Sequence, residues 1–198
     1  MPNWCYNVLH VEGRQEDLED FDEKFKGKPA NFPPQLFTRD MTEEEVKEAY
    51  EKKQQSWEQL EPNYCFNALY PVPPEIEKVG HSCDKNAPES FNERLQGLFN
   101  PEVSWDGHSW CVAHWGTKWD IYSEEDVCAE KSEGRYSYRF DTAWSPPTHW
   151  LDKVASDFPH LRFVLAFTEE MAHYAGEIYA HGEDRNIVER DPELFDPE

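Results

Sequence analysis

Basic residues are scarce in this 198-residue sequence: 19 Lys and Arg stand against 41 Asp and Glu, and the formal net charge at pH 7 is −22. Recognition of nucleic-acid phosphates needs clustered Lys and Arg, and an anionic membrane surface makes the same demand. The acids concentrate in residues 12–23, 119–133 and 183–198, whereas residues 134–168 are nearly neutral. We therefore expect no direct nucleic-acid binding and no membrane binding.

Long apolar runs and a leader-like start are also lacking. No window approaches the roughly 18 apolar residues of a membrane span, and MPNWCYNVLH contains neither region of a secretory signal. The five cysteines are odd in number and widely scattered, which indicates reduced thiols rather than a disulfide framework. These absences predict a cytoplasmic protein.

Motifs that announce a cofactor or a catalytic nucleophile are missing as well. The sequence contains no G-x-S-x-G, P-loop or G-x-G-x-x-G motif, and its cysteines form no iron–sulfur run. His108, Cys111 and His114 have a ligand-like spacing, but on a strand the two histidines would lie about 20 Å apart. A Cys111–His114 nucleophile pair would likewise fall on opposite faces of that strand. We expect no metal and no cofactor, and whether the chain is an enzyme stays open.

Aromatic residues are abundant, at 15% of the chain with eight tryptophans, and they mark a regular pattern of elements. Period-two alternation and helical periodicity predict an α+β fold with a mostly antiparallel, four- to five-stranded sheet and helices on one face. The predicted strands are 3–12, 109–115, 135–142, 161–168 and 174–181. The predicted helices are 15–26, 42–60, 89–99 and 146–158, the second opened by a capping box at Thr42.

One short internal echo stands out. NWCYNVL at residues 3–9 resembles NYCFNAL at residues 63–69. Two interpretations stay open at this point: the segments are equivalent strands of a pseudo-symmetric sheet, or the likeness is chance.

Five ordered blocks resemble a known family. MPNWCYN, ALYPVP, WGTKWD (115–120), TAWSPP (142–147) and the final strand after FTEE follow the order seen in the YubB-type ferredoxin-like domain family of phages, plasmids and bacteria. The resemblance implies a ferredoxin-like sandwich and a mobile-element origin, but no activity. We expect one domain over residues 1–182 with a helical insertion at about 28–62, followed by a loose acidic tail at 183–198.

Polar and aromatic residues near strand ends are the candidates for a site. Lys118 stands among tryptophans and is expected to make cation–π contacts or to pair with a carboxylate. If Lys118 is not part of a binding site, we expect it to form a structural ion pair. If the tryptophans are not part of that site, we expect them to pack in the core. We expect the candidates to gather at one end of the sheet. The tentative binding residues are Trp4, Lys118, Trp119, Asp120, Trp144 and Glu169.

Two functions from different classes fit this sequence. The first is a non-enzymatic binding or interaction module, an acidic phage- or mobile-element-type accessory protein acting on a host protein. The second is a small enzyme or small-ligand binder with a site near Lys118, Asp120 and Glu169.

Overall fold

The computed structural model describes residues 3–32, 42–80, 106–121 and 127–197, and these ranges form a six-stranded sheet, a two-stranded sheet and six helices. The strands are β1 (Trp4–Glu12), β2 (Lys26–Gly27), β3 (Asn63–Tyr64), β4 (Val127–Ser132), β5 (Arg135–Ala143), β6 (Arg162–Glu169), β7 (Ala175–His181) and β8 (Asp184–Arg190). The helices are α1 (Gln15–Lys24), α2 (Glu43–Gln59), α3 (Phe66–Leu69), α4 (Pro74–Val79), α5 (Gly107–His114) and α6 (Thr148–Asp157).

The large sheet has the order β4-β5-β1-β6-β7-β8, and every neighbouring pair is antiparallel. At its centre, Leu9 of β1 lies between Tyr138 of β5 and Leu165 of β6. The elements β1, α1, β4, β5, α6 and β6 follow the β-α-β-β-α-β order of a ferredoxin-like domain. The fold class predicted from the sequence is therefore confirmed, with β7 and β8 extending the sheet beyond β6.

The two faces of the sheet differ because strand side chains alternate. The odd-numbered residues of β1, including Leu9 and Val11, are buried under α1 and α6 together with Leu18 and Leu151. The even-numbered residues Trp4 and Tyr6 point to the opposite face and remain exposed. We call this opposite face the outer face.

The small sheet joins the two ends of an insertion. Lys26 and Gly27 of β2 pair with Tyr64 and Asn63 of β3, so residues 28 and 62 leave the domain side by side. Helix α2 lies within this segment, and its N-cap Thr42 forms the predicted capping box with Glu45. None of the described residues from 26 to 63 is buried, so the segment contributes little to the core.

Two predicted elements are wrong. Of residues 109–115, predicted as a strand, 109–114 belong to α5 and Trp115 is its C-cap; the N-cap Asp106 accepts a hydrogen bond from the Ser109 N–H at 2.7 Å. The loose tail expected from Glu183 instead contains β8, which pairs along its whole length with β7. The sheet therefore has one strand more than the upper end of the predicted range.

The two similar segments, residues 3–9 and 63–69, adopt different structures. Residues 3–9 lie in the long central strand β1, whereas residues 63–69 form the two-residue strand β3 and the short helix α3. The pseudo-symmetric interpretation is therefore wrong. The predicted helix at 89–99 lies outside the described residues.

Within the described ranges, no helix combines the length and the apolar character that a membrane crossing demands.

Candidate functional site

Two loops are bonded together at the end of the sheet where β1 begins. Gly116 follows α5 with a φ of +89°, and a Cβ at that position would lie 2.9 Å from the Thr148 nitrogen. The Thr117 hydroxyl donates to the Ala143 carbonyl at 3.0 Å, and the Ser145 hydroxyl donates to the Gly116 carbonyl at 2.6 Å. The left-handed glycine thus lets the 116–119 loop approach the 143–148 loop closely.

Lys118 lies between two tryptophans in these loops. Its Nζ is 3.9 Å from the ring centroid of Trp119 and 3.9 Å from that of Trp144. Both distances are well inside the roughly 6 Å range of a cation–π contact. The expectation of cation–π contacts is met. Residues 115–121 contain a turn, bends and irregular backbone rather than a strand.

Trp144 adopts an uncommon backbone conformation. Its φ is +72°, a left-handed region that costs a residue with a Cβ about 1–2 kcal/mol. The conformation is held from both sides: the Trp144 N–H donates to the Asn3 carbonyl at 2.9 Å, and the Tyr174 hydroxyl donates to the Trp144 carbonyl. The side chain is 51% exposed, so this strain presents an aromatic ring to solvent.

An open cleft of about 550 Å³ lies on the outer face beside this cluster. Its aromatic part comes from Trp4, Tyr6 and Trp119, and the Trp4 and Trp119 ring centroids are 6.2 Å apart. Its charged part comes from Asp120, Arg139, Asp141 and Asp196. The carboxylates of Asp141 and Asp196 against the guanidinium of Arg139 give the cleft an acidic character.

Asp120 supports the cleft from behind. Its carboxyl oxygens accept hydrogen bonds from the N–H groups of Phe66 (2.5 Å), Asn67 (3.2 Å) and Ile121 (2.9 Å). Although the residue keeps part of its surface, the carboxyl group itself is buried. Burial raises the pKa of Asp120 to about 7, against the effect of the three N–H donors, which lower it.

Glu169 stabilises the turn that follows β6. Its side chain is 2% exposed, and one carboxylate oxygen accepts from the N–H groups of Met171 (2.9 Å) and His173 (3.2 Å). Burial acts to raise the pKa of Glu169, but the N–H groups of His173 and Met171, together with the Asn3 side chain, hold it below its ordinary value. Glu169 is not among the described residues that line the cleft.

The six candidate residues therefore divide into two groups. Trp4, Trp119 and Asp120 line the cleft, and Lys118 joins them to Trp144 through its contacts with the Trp119 and Trp144 rings. Glu169 lies apart, although its neighbour Glu170 bonds to the Trp4 backbone, donating N–H to the Trp4 carbonyl at 2.8 Å.

The tryptophans in or beside the predicted strands also differ in burial. Trp110 and Trp115 are core residues, whereas Trp4 and Trp119 are each 38% exposed. The interpretation of the whole set as core is therefore wrong for Trp4, Trp119 and Trp144.

The His108, Cys111 and His114 spacing occurs on helix α5. The strand geometry used to separate these residues is therefore wrong. His114 stacks on Trp110 with ring centroids 4.4 Å apart, and Cys111 is buried. Across the described part of the chain, no group of three or more His, Cys, Asp or Glu side chains is placed to hold a metal ion.

Sequence reasoning missed most of the residues that line the cleft, among them Tyr6, Cys128, Arg139 and Asp141. Strand alternation in the sequence could have indicated the face of three of them, because Tyr6 shares strand parity with Trp4, and Arg139 and Asp141 alternate with the buried residues of β5. The sequence could not show that these residues meet across strands, since that depends on the register Tyr6↔Asp141 and Cys128↔Arg139.

A buried charged cluster was also missed. Asp22 of α1 accepts hydrogen bonds from Lys26 (2.7 Å), Lys131 (2.6 Å), Tyr64 (2.8 Å) and Tyr138 (3.1 Å). Burial acts to raise the pKa of Asp22, but the lysines and Tyr64 hold it below its ordinary value. The signal in the sequence is that Asp22 occupies the apolar stripe of α1, one residue after Phe21.

Comparison with known proteins agrees with this architecture. Residues 104–195 match the family model described as the ferredoxin-like domain in Api92-like protein. The crystal structure of a protein api92 from Yersinia pseudotuberculosis is similar over 96% of this chain and 98% of that chain, with a TM-score of 0.61 and 11% sequence identity. No curated protein matches the chain. Residues 104–195 are thus similar to a ferredoxin-like domain, and the structural likeness extends the shared fold to nearly the whole chain.

The matched segment depends on a strand from outside it. Residues 104–195 contain β4 to β8, yet the sheet order places β1 between β5 and β6. The ferredoxin-like sheet is therefore completed by the N-terminal strand, which also supplies Trp4 and Tyr6 to the cleft.

Proposed function

We propose that this protein is a non-enzymatic binding module that holds a basic segment of a host protein in the tryptophan-lined cleft of its outer face. The observation that carries the proposal is the Lys118 ammonium seated 3.9 Å from two tryptophan rings beside that cleft. The site thus already binds a lysine head group through aromatic faces. Tryptophan is also the ring that attracts cations most strongly.

The electrostatics of the cleft favour the same class of partner. Asp141 and Asp196 outnumber Arg139 along its lining, and the chain as a whole carries −22. A field of this sign accelerates encounter with basic partners and repels acidic ones. Exposed Trp and Tyr side chains at the centre of such a patch are typical of residues that dominate binding energy.

The finer family assignment belongs to this proposal. The ordered blocks WGTKWD and TAWSPP support a YubB-type, mobile-element accessory protein that works in the cytoplasm of a bacterial host. Capture of a basic host protein by an acidic module fits such a role, because the module would compete with nucleic acid for that protein.

A defined peptide titration tests the proposal. We expect an Arg/Lys-rich peptide to quench tryptophan fluorescence with a micromolar Kd that weakens as salt rises. Trp119→Ala should weaken this binding about tenfold or more. Tyr179→Ala is the matched control, since Tyr179 is equally exposed at 38% but lies outside the cleft lining. Equal binding by Trp119→Ala and the parent protein would sink the proposal.

Lys118→Met separates a role in the site from a role in stability. The substitution removes the charge that holds Trp119 and Trp144 in place but keeps an unbranched side chain. We expect the Tm to stay within a few degrees of the parent value, since such contacts contribute about 0.5–2 kcal/mol, while peptide affinity falls severalfold. A large loss of Tm with unchanged affinity would make Lys118 a structural residue only.

A second candidate function is a small-ligand binder or enzyme, favoured by two features of the same cleft. Its volume of about 550 Å³ suits a small molecule, and the raised pKa of Asp120 is typical of groups that exchange protons. Cys128 lines the cleft and is exposed, so its alkylation reports occupancy. Protection of Cys128 by a small molecule, with no binding of the basic peptide, would favour this second candidate.

A further inference from the structure

The outer edge of β8 offers a second surface, independent of the cleft. β8 ends the six-stranded sheet, and within the described ranges its only sheet neighbour is β7. An exposed strand edge is a template for pairing with another chain. β8 also carries Ile187, which is 53% exposed, so the edge combines open backbone groups with an apolar side chain.

The register with β7 shows which backbone groups face that open edge. β7 and β8 are joined by two residues, and the pair nearest the turn is His181↔Asp184. In an antiparallel hairpin with a two-residue loop the closing pair is hydrogen-bonded, and such pairs alternate with pairs that are not. The even-numbered residues of β8 therefore bond to β7. The N–H and C=O groups of Arg185, Ile187 and Glu189 point to the open edge.

The side chains of β8 complement themselves in antiparallel order. With Ile187 opposite its own copy, Arg185 of one chain lies opposite Glu189 of the other, and Asp184 lies opposite Arg190. Opposite charges directly across a strand pair stabilise it, as do branched apolar pairs. Both arginines of the strongly acidic segment 183–198 lie in β8, which makes this strand locally neutral.

We propose that β8 is a self-association edge, through which two copies of this chain pair antiparallel about a two-fold axis at Ile187. The axis stands perpendicular to the sheet, so side chains directly opposite each other lie on the same face. This isologous arrangement is the usual form of a homodimer interface. It joins two six-stranded sheets into one sheet with all the helices on the same side.

The helices leave room for this pairing. α6 packs against β7, and in the dimer the two β7 strands are three strand spacings apart, about 14 Å. Packed helices need only about 8–10 Å between axes, so the two α6 helices clear each other. The tail after β8 turns away from the edge, since Asp196 and Pro197 line the cleft near β1 and β5.

Existing ion pairs become part of the interface. Arg185 bonds to Asp152 of α6, and Arg190 bonds to Glu177 of β7. These contacts order both guanidinium groups within the monomer, and in the dimer Glu189 and Asp184 of the other copy become their second partners. The arginines are thus positioned before association, which lowers the cost of ordering them.

A charge-swap cycle measured by sedimentation equilibrium tests the proposal. The parent chain should show a concentration-dependent dimer. Arg185→Glu and Glu189→Arg should each weaken it about tenfold or more, because each places like charges opposite one another. The double variant Arg185→Glu/Glu189→Arg should restore the dimer, since position 185 faces position 189 of the other copy. Restoration cannot come from the monomer, because Arg185→Glu still sets a carboxylate against Asp152 in every copy.

The variant Ile187→Pro is a second, independent test of the dimer. The Ile187 N–H points to the open edge, so proline there should abolish the dimer while leaving the β7 ladder and the thermal transition of the monomer in place. Met171→Ala is the control, since Met171 is 61% exposed in the turn after β6, and it should leave the dimer unchanged. A parent chain that stays monomeric at several hundred micromolar overturns the proposal. So does a double variant no better than the single ones.

Discussion

Asp22 shows what one charged residue does inside this core. It lies on the apolar stripe of α1, and its carboxylate accepts hydrogen bonds from two lysines and two tyrosines. Removing one partner of a buried charged network costs far more than the network contributes in total, because the remaining charges are left unpaired. The cluster ties α1 to β3, β4 and β5 at one point.

Asp22→Asn should lower the free energy of unfolding by about 2–4 kcal/mol at pH 7, because Lys26 and Lys131 lose their common counter-charge. The pKa of Asp22 lies below its ordinary value in the fold. The stabilisation is therefore present above the unfolded pKa and is lost as the pH falls through the folded one, so the gap between parent and variant should close in acid.

Urea unfolding at several pH values measures that gap. Asp20→Asn on the same helix is the control, since Asp20 pairs with Lys24 at the surface and should change stability by less than about 1 kcal/mol. Equal effects of the two substitutions would contradict a special role for Asp22.

Asp120 should titrate in the neutral range. Burial raises its pKa to about 7, so the folded chain keeps this proton well above the pH at which the unfolded chain loses it. The contribution of Asp120 to stability should therefore fall as the pH rises from about 4 to 7 and then level off. Carboxyl carbon NMR, assigned by loss of the signal in Asp120→Asn, checks the midpoint. A midpoint near 4 would contradict it.

Among the elements, those with purely local signals could be predicted from the sequence. The capping box of α2 and the alternation of β5 each involve neighbours within a few residues, and both are present in the structure. α5 was missed because Trp110, Cys111 and Val112 are typical of strands. Its local helix signals lie at its ends, with the N-cap Asp106 before it and the left-handed Gly116 just past its C-cap. β8 was missed because its acidic surroundings hide a strand that forms by pairing with β7.

The candidate site also combines features with local sequence signals and features that depend on long-range contacts. Predicted strand ends could place Trp4 and Trp144 near one end of the sheet, because Trp4 begins β1 and Trp144 follows β5. The position of Lys118 did not follow, because the strand predicted before it is the helix α5. The slot around Lys118 could not be predicted, because it requires the left-handed conformations of Gly116 and Trp144 and the bonds between their two loops. These are long-range features, and no spacing in the sequence encodes them.

The insertion should be dispensable for folding. Replacing residues 33–60 with a flexible linker of about ten residues keeps Ala30 and Phe32, which pack against the core, and removes α2. Because no described residue from 26 to 63 is buried, we expect a single cooperative urea transition to remain. Circular dichroism and tryptophan fluorescence should give coincident curves. Loss of cooperativity would show that the segment belongs to the core.

The charge of the whole molecule predicts its behaviour toward nucleic acid. At −22 the chain repels phosphate along most approaches, even though exposed aromatics on a sheet can stack on bases. We expect no retention of random duplex or single-stranded oligonucleotides in a gel shift at micromolar protein and physiological salt. Retention that Arg139→Glu abolishes would contradict this and would place the contact on the outer face.

The central position of β1 determines when the sheet can form during synthesis. β1 ends at Glu12, but its two neighbours end at Ala143 and Glu169. At roughly 5–20 residues per second, the ribosome needs on the order of 8–30 s to deliver both neighbours after β1 has been made. Throughout that interval the Trp- and Val-containing strand has no native partner, and chaperones that hold apolar segments have time to bind it. Ribosome-arrested chains ending near residue 150 should therefore be cut by protease within β1, whereas chains that expose residues 1–190 beyond the exit tunnel should resist.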